Sequence, residues 1–328
     1  MSFSFNFDVQ SQGEECPKSD IQKKEEEAKP DNTAKTETIC VLKTKQALEH
    51  KPPVDSESLF ENSVTETLTV GSLPPLHYLN ECVFERTAGE REDDEQILSW
   101  TKDRNTDLIS GVYEGGLKIW ECTYDLLEHM DDEGETFLGK SVLDLGCGAG
   151  LLGILAFRRG ARRIDFQDYN STVIEQLTVP NVLLNCEEDS DEEGKNGNPS
   201  PKKRTLDETQ PLSITRCNFF SGDWSSFLSL ILSKEPVHKY DIIFTSETIY
   251  NTEYYPSLHN VFQKLLADDG IVYLASKSHY FGVGGGLHLF QTFVEQKDVF
   301  QMKCLKDIEQ GLKRHVVSLK FKKTKSET

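Results

Sequence analysis

The chain has 328 residues, with 36 Lys and Arg against 55 Asp and Glu and a formal charge of −19. An acidic excess of this size excludes a nucleic-acid clamp, which needs a concentrated positive face, and suits a basic protein partner better. The 37% hydrophobic fraction is low for a chain folded throughout, and points to one domain accompanied by unstructured sequence. No apolar run approaches a membrane span, and the opening MSFSFNFDVQ lacks the basic and apolar regions of a secretory signal. Eight scattered cysteines without a C-x-x-C pair give no zinc or dithiol framework and fit a reducing, intracellular setting.

Residues 1–95 are expected to be largely disordered: Glu, Lys, Ser, Thr and Pro dominate, as in Lys23-Lys24-Glu25-Glu26-Glu27, and apolar residues show no sustained period. Phe3, Phe5 and Phe7 alternate at the start and read as a weakly ordered tail. From about Asp107 short apolar runs alternate with amphipathic stretches, which predicts an α/β domain with a parallel sheet over residues 105–328. Strands are predicted at Ser141–Leu145, Arg163–Gln167, Ser213–Phe219, Tyr240–Thr245, Gly270–Ser276 and Val316–Phe321. Helices fit between them at Leu151–Arg159, Thr172–Leu184, Trp224–Leu232, Tyr255–Leu266 and Leu287–Gln296. Gly160 reads as a left-handed stop and Thr172 with Glu175 as a capping box. Residues 187–210, which open with six acidic residues in seven, are too polar to pack and read as a disordered insertion.

The strongest signal is Ser141-Val-Leu-Asp-Leu-Gly-Cys-Gly-Ala-Gly150, a strand running through a glycine-rich turn into a helix. Such a turn places Asp144, Gly146 and Gly148 at the carboxyl edge of the sheet, where open α/β folds bind ligands, beside a helix N-terminus that favours an anionic group. Gly148, Gly150 and Gly153 also satisfy a dinucleotide pattern, but Asp144 two residues before the first glycine would repel a pyrophosphate and attract an ammonium. Asp168 ends the second strand, 18 residues after Gly150, at a distance suited to ribose hydroxyls. Gly222, Asp223 and Trp224 follow the third strand, where Asp223 would accept from an adenine amino group and Trp224 pack near its face. An amino acid joined to an adenosine is S-adenosylmethionine, and that cofactor is expected here.

The stretches Gly111-Val-Tyr-Glu-Gly-Gly-Leu-Lys-Ile-Trp-Glu121, Asp144–Gly150, Gln167-Asp-Tyr-Asn170, Thr245-Ser-Glu-Thr-Ile-Tyr250 and Ser276-Lys-Ser-His-Tyr-Phe-Gly-Val-Gly-Gly-Gly286 closely resemble the protein-histidine methyltransferase family. The resemblance runs from about Asp107 to the end. It implies a Rossmann-like seven-stranded methyltransferase fold, with strand order 3-2-1-4-5-7-6 and the seventh strand antiparallel. It also implies methylation of the tele nitrogen of one histidine in a large-subunit ribosomal protein, the universal L-three protein. The cofactor contacts it implies are Ile119, Trp120, Glu121, Cys122, Thr123, Gly146, Gln167, Asp168, Tyr169, Gly222, Asp223, Trp224 and Ser246. Read from sequence alone, the first five of these form an amphipathic helix with a buried Trp120.

Methyl transfer from a sulfonium needs little beyond alignment, because the acceptor imidazole is mostly neutral at pH 7. The correct tautomer must still be fixed. Glu247 is the candidate for that task, with Tyr250 or Tyr280 orienting the ring; the competing reading has Glu247 capping a helix or pairing with a lysine. His279 reads as structural, and Gly282 to Gly286 as a mobile lid or a tight crossover. Pro201-Lys-Lys-Arg204 has the form of a short nuclear import signal, consistent with a monomer shared between cytoplasm and nucleus. A lysine methyltransferase of the same fold and a non-catalytic chaperone for a basic client are the competing functions.

Overall fold

The computed structural model describes residues 44–53, 57–60, 63–80, 95, 97, 107–186 and 213–323. Phe3, Phe5 and Phe7, the insertion at 187–210 and Pro201–Arg204 lie outside these. The strands are β1 (Leu48–His50), β2 (Thr65–Leu68), β3 (Leu76–Leu79), β4 (Ser141–Leu145), β5 (Arg163–Asp168), β6 (Cys217–Ser221), β7 (Tyr240–Ser246), β8 (Leu266–Lys277), β9 (Phe300–Ile308) and β10 (Arg314–Phe321). Eight of them form one sheet in the order β1-β6-β5-β4-β7-β8-β10-β9. With β4 counted as the first strand, the seven after β1 lie in the order 3-2-1-4-5-7-6. β4 to β8 are mutually parallel, whereas β10 is antiparallel to both β8 and β9.

Alternation along the central strands divides the core into two layers. Val142, Phe166 and Phe244 face one way and pack with α1 (Glu121–Asp132) and α2 (Leu151–Arg158) through Leu126, Met130, Ile154 and Leu155. Leu143, Leu145 and Ile243 face the other way, against Phe227 of α4 (Trp224–Leu232), Phe262 of α5 (Tyr255–Leu265) and Phe290 of α6 (Leu287–Lys297). Between these in sequence, α3 is assembled from Ser171–Val173, a π-helical turn Ile174–Thr178 and Val179–Leu183. Every residue of β4 is buried, as expected of a strand covered on both faces.

Several expectations are corrected. Residues 44–50 and the β2–β3 hairpin are folded onto the domain, despite the disorder expected up to residue 95. Leu73, Leu76 and Leu79 are too few to show a period, yet all three are buried in the core beside α3. Asn181 on α3 and Asn185 just past its end accept the N–H groups of Leu79 (2.8 Å) and His77 (3.0 Å). The Thr172–Glu175 capping box does not form. Asn170 is the N-cap without a side-chain cap bond, and Glu95 Oε2 accepts the Thr172 N–H at 3.0 Å. β6 begins at Cys217, not Ser213, because Ser213 caps a short 3₁₀ turn over Ile214–Arg216. β9 escaped the sequence reading because most of its residues are half-buried or exposed, so it carries no apolar run. Gly160, at φ 88°, ends α2 as expected.

Candidate active site

The carboxyl ends of β4, β5, β6 and β7 open into a cleft of about 860 Å³. Of the residues expected there, Ile119, Trp120, Thr123, Gly146, Gly148, Asp168, Tyr169, Gly222, Asp223, Trp224, Ser246, Glu247 and Tyr250 line it. Gly146 and Gly148 adopt φ of 68° and 50°, and a Cβ on Gly148 would stand 3.0 Å from the Gly116 carbonyl. The turn therefore needs glycine both for its backbone angles and for the close passage of Gly116. Thr123 Oγ1 donates to Ser246 Oγ at 3.1 Å, tying the start of α1 to the end of β7.

Four expected residues stand behind the wall instead of on it. Asp144 is 2% exposed, and its Oδ2 accepts the Gly153 N–H at 2.8 Å, bracing the start of α2 from below. Burial, reinforced by Asp168, pushes its carboxyl up to about 8, so it neither repels a pyrophosphate nor holds an ammonium as expected. Gln167 is fully buried; its amide donates to the carbonyls of Asp168 and Gly222 at 2.8 Å and accepts the Trp224 indole N–H at 3.0 Å. It acts on the site by holding Trp224. Glu121 pairs with Lys277 at 3.2 Å. Cys122 is enclosed beside Glu247, with burial and that carboxylate both raising its thiol. Trp120 precedes α1 in extended conformation and reaches back to donate to the Gly115 carbonyl at 3.0 Å, half-buried on the cleft and not inside a helix.

The adenosine side of the cleft fits its expected occupant. Asp223 Oδ1 caps α4 through the Ser226 N–H at 2.9 Å, whereas Oδ2 is buried with no hydrogen-bond partner. A buried acceptor left unpaired is costly, and an exocyclic amino group on a bound ligand would supply the missing donor. Asp168 accepts the N–H groups of Gly148 (3.0 Å) and Asn170 (3.1 Å), which leaves each oxygen a lone pair for a ribose hydroxyl. Burial raises Asp168 to about 6, with the backbone donors and Lys45 opposing the rise, so the carboxylate form prevails at neutral pH.

Beyond this half lies a smaller cavity of about 340 Å³. It shares Glu114, Gly115, Trp120, Glu247 and Tyr250 with the cleft and adds Leu108, Lys277 and Tyr280. Glu247 sits at φ 59°, an unfavourable angle for a long side chain, which its N–H bond to the Ala275 carbonyl at 2.9 Å helps to hold. Its Oε2 accepts from the Tyr280 hydroxyl at 2.6 Å, and Oε1 lies 3.4 Å from Lys277 Nζ with no hydrogen-bond partner. The lysine pairing considered for Glu247 is therefore present, and the helix cap is not. Glu114 forms the facing wall: both Tyr250 and Tyr254 donate to it, as does the Gly111 N–H at 2.6 Å, while burial still raises its carboxyl.

Glu114, Tyr254 and Lys277 were missed as site residues. Glu114 lies inside the motif that carries the resemblance, and Lys277 is a polar end to an apolar strand, the same signal that marked Ser246 and Glu247. His279 is exposed and lines neither cavity. Gly282 to Gly286 form a tight crossover: Gly285 donates to the Tyr250 carbonyl at 2.8 Å, and a Cβ there would approach that oxygen to 2.2 Å.

A methyltransferase-domain family profile matches residues 124–311. The histidine protein methyltransferase 1 homolog of Bos taurus is 50% identical over 280 residues, covering 85% of this chain and 73% of its own. The Mus musculus homolog is 48% identical over 278 residues, 85% and 75% of the two chains. The histidine protein methyltransferase 1 of Saccharomyces cerevisiae is 27% identical over 67% of this chain and 68% of its own. The chain belongs to the histidine protein methyltransferase 1 family. It is an S-adenosylmethionine-dependent protein-histidine methyltransferase, and the dinucleotide reading of its glycine loop falls away. Within this methyltransferase the cleft is the candidate cofactor site, and the smaller cavity adjoins it.

Proposed function

We propose that the enzyme methylates the tele nitrogen of a histidine in the universal L-three protein of the large ribosomal subunit, with the acceptor ring in the smaller cavity. The observation that carries this reading is Glu247, which lines both cavities and whose Oε1 is buried 3.4 Å from Lys277 Nζ with no hydrogen-bond partner. S-adenosylmethionine supplies a methyl group already activated by its sulfonium. Glu247 accepts the N–H of the other ring nitrogen, so that the attacking nitrogen carries the lone pair. A methylated ring would be cationic, and the Glu247 carboxylate would stabilise it until the ring proton departs to solvent. Tyr280 and Lys277 hold that carboxylate in place, while Trp120 and Tyr250 offer flat faces to the ring.

Lys277 also argues against a lysine acceptor. It already engages Glu121 and Glu247, the carboxylates that would otherwise receive a substrate ammonium. The −19 charge favours a basic client, and Pro201–Arg204 is read as the import signal that gives a monomeric enzyme access to the nucleus as well as the cytoplasm. The test is transfer of labelled methyl groups into recombinant L-three protein, with peptide mass spectrometry to place the label. Methylation confined to one histidine supports the proposal; a histidine in another protein modified in its stead removes the substrate but not the chemistry.

A further inference from the structure

The N-terminal segment 44–50 lies along the outer wall of the cofactor cleft, and its contacts converge on the residues that form that wall. β1 pairs antiparallel with β6, with Leu48 opposite Ser221. The Lys45 carbonyl accepts the Asp223 N–H at 3.1 Å, and the Ala47 N–H donates to Ser226 Oγ at 2.8 Å. Gly222, at φ 114°, makes this approach possible: a Cβ there would stand 2.6 Å from Ala47 Cα and 2.7 Å from the Gln46 carbonyl. Lys45 Nζ sits over the Tyr169 ring, 4.5 Å from its centre, and pairs with Glu95. Glu95 in turn accepts from the Thr172 N–H at 3.0 Å and Asn170 Nδ2 at 3.4 Å, immediately after the strand that ends in Asp168. Lys45 is thus a cation placed over one residue of the cleft wall, bonded through its backbone to a second, and close enough to favour the ionised form of a third, Asp168.

We propose that Lys45 is a positioning residue of the cofactor site, and that segment 44–50 is a strap which sets affinity for S-adenosylmethionine by fixing Tyr169, Asp168 and Asp223. No residue of the strap lines the smaller cavity, and its hydrogen bonds to β6 and α4 run to the cofactor wall; the Lys45 charge also reaches Glu114, which lines both cavities, so the larger effect falls on the cofactor. This inference rests on the cofactor cleft alone and is independent of the identity of the methylated protein.

The test is calorimetric titration of full-length variants with S-adenosylhomocysteine, which needs no protein substrate. Lys45→Ala removes the cation, and Ala47→Pro removes the N–H donated to Ser226. Each is expected to weaken binding about tenfold, while Lys45→Arg, which keeps the charge and stacks as well, binds almost normally. The KM for S-adenosylmethionine should rise in proportion, with kcat at saturation and the melting temperature of the ligand-free chain nearly unchanged. Amide exchange over 44–50 should slow when the ligand is added. Binding within about twofold of the parent in both weakening variants overturns the proposal. Equal losses of affinity, kcat and ligand-free melting temperature assign the strap a structural role only and overturn it as well.

Discussion

The two halves of the active site are built from different materials. The cofactor half is mostly backbone: glycine turns after β4 and β6, the start of α2, and two aspartates fixed by N–H groups. The half proposed to hold the acceptor is a network of buried side chains, in which Glu114 gathers two tyrosines while Lys277 joins Glu121 to Glu247. Backbone geometry tolerates the loss of one side chain, whereas a buried charge network fails when any member is unpaired. Changes in the first half should therefore cost affinity, and changes in the second should cost turnover or stability.

Lys277→Met probes the contrast most strongly. Lys277 is 2% exposed, and its loss leaves two carboxylates without their cation, a cost of about 3–5 kcal/mol. Thermal denaturation should show a fall of roughly 10 °C for a domain of this size; a fall below about 2 °C would break the claim that the network holds the acceptor half together. Glu247→Gln is expected to lower turnover about a hundredfold, with affinity for S-adenosylhomocysteine within about twofold. Near-normal turnover would remove Glu247 from the mechanism and leave Glu114 as the carboxylate facing the ring.

Asp223→Ala should weaken cofactor binding about tenfold and leave kcat at saturation almost unchanged. Asp223→Ser separates the two tasks of this residue, because serine still caps α4 but lacks the second oxygen; restored affinity in that variant would refute the adenine contact. The smallest effect is a matter of pH. Burial raises Asp144 from 3.8 to about 8, so its contribution to stability is complete below its ordinary value and is lost as pH rises through about 8. Asp144→Asn does not titrate, and its melting temperature relative to the parent should climb by a few degrees between pH 6 and pH 9. A constant difference would show that Asp144 is already ionised in the folded chain.

How much of this was legible in the sequence follows the same division. Glycine spacing and acidic strand ends report backbone turns directly, so Gly146, Asp168, Asp223 and Trp224 could be found from local pattern. Asp144, found by the same pattern, and Gln167, implied by the resemblance, were both misplaced, because residues on a strand alternate between the ligand side and the layer beneath it. Lys277, Glu121 and Glu247 come together from α1, β8 and the end of β7, and no spacing announces a contact between segments that far apart. Segment 44–50 was hidden for another reason. Its affinity for β6 comes from main-chain pairing and a glycine opposite it, which leave a composition rich in polar residues unchanged.

The central claim is that the acceptor is an imidazole held by Glu247 beside the cofactor cleft. The most direct measurement is amino-acid analysis of protein labelled by this enzyme with methyl-tritiated S-adenosylmethionine. The account predicts label in tele-methylhistidine, abolished or nearly so by Glu247→Gln. Label recovered in methyllysine, or in the pros isomer of methylhistidine, would contradict it.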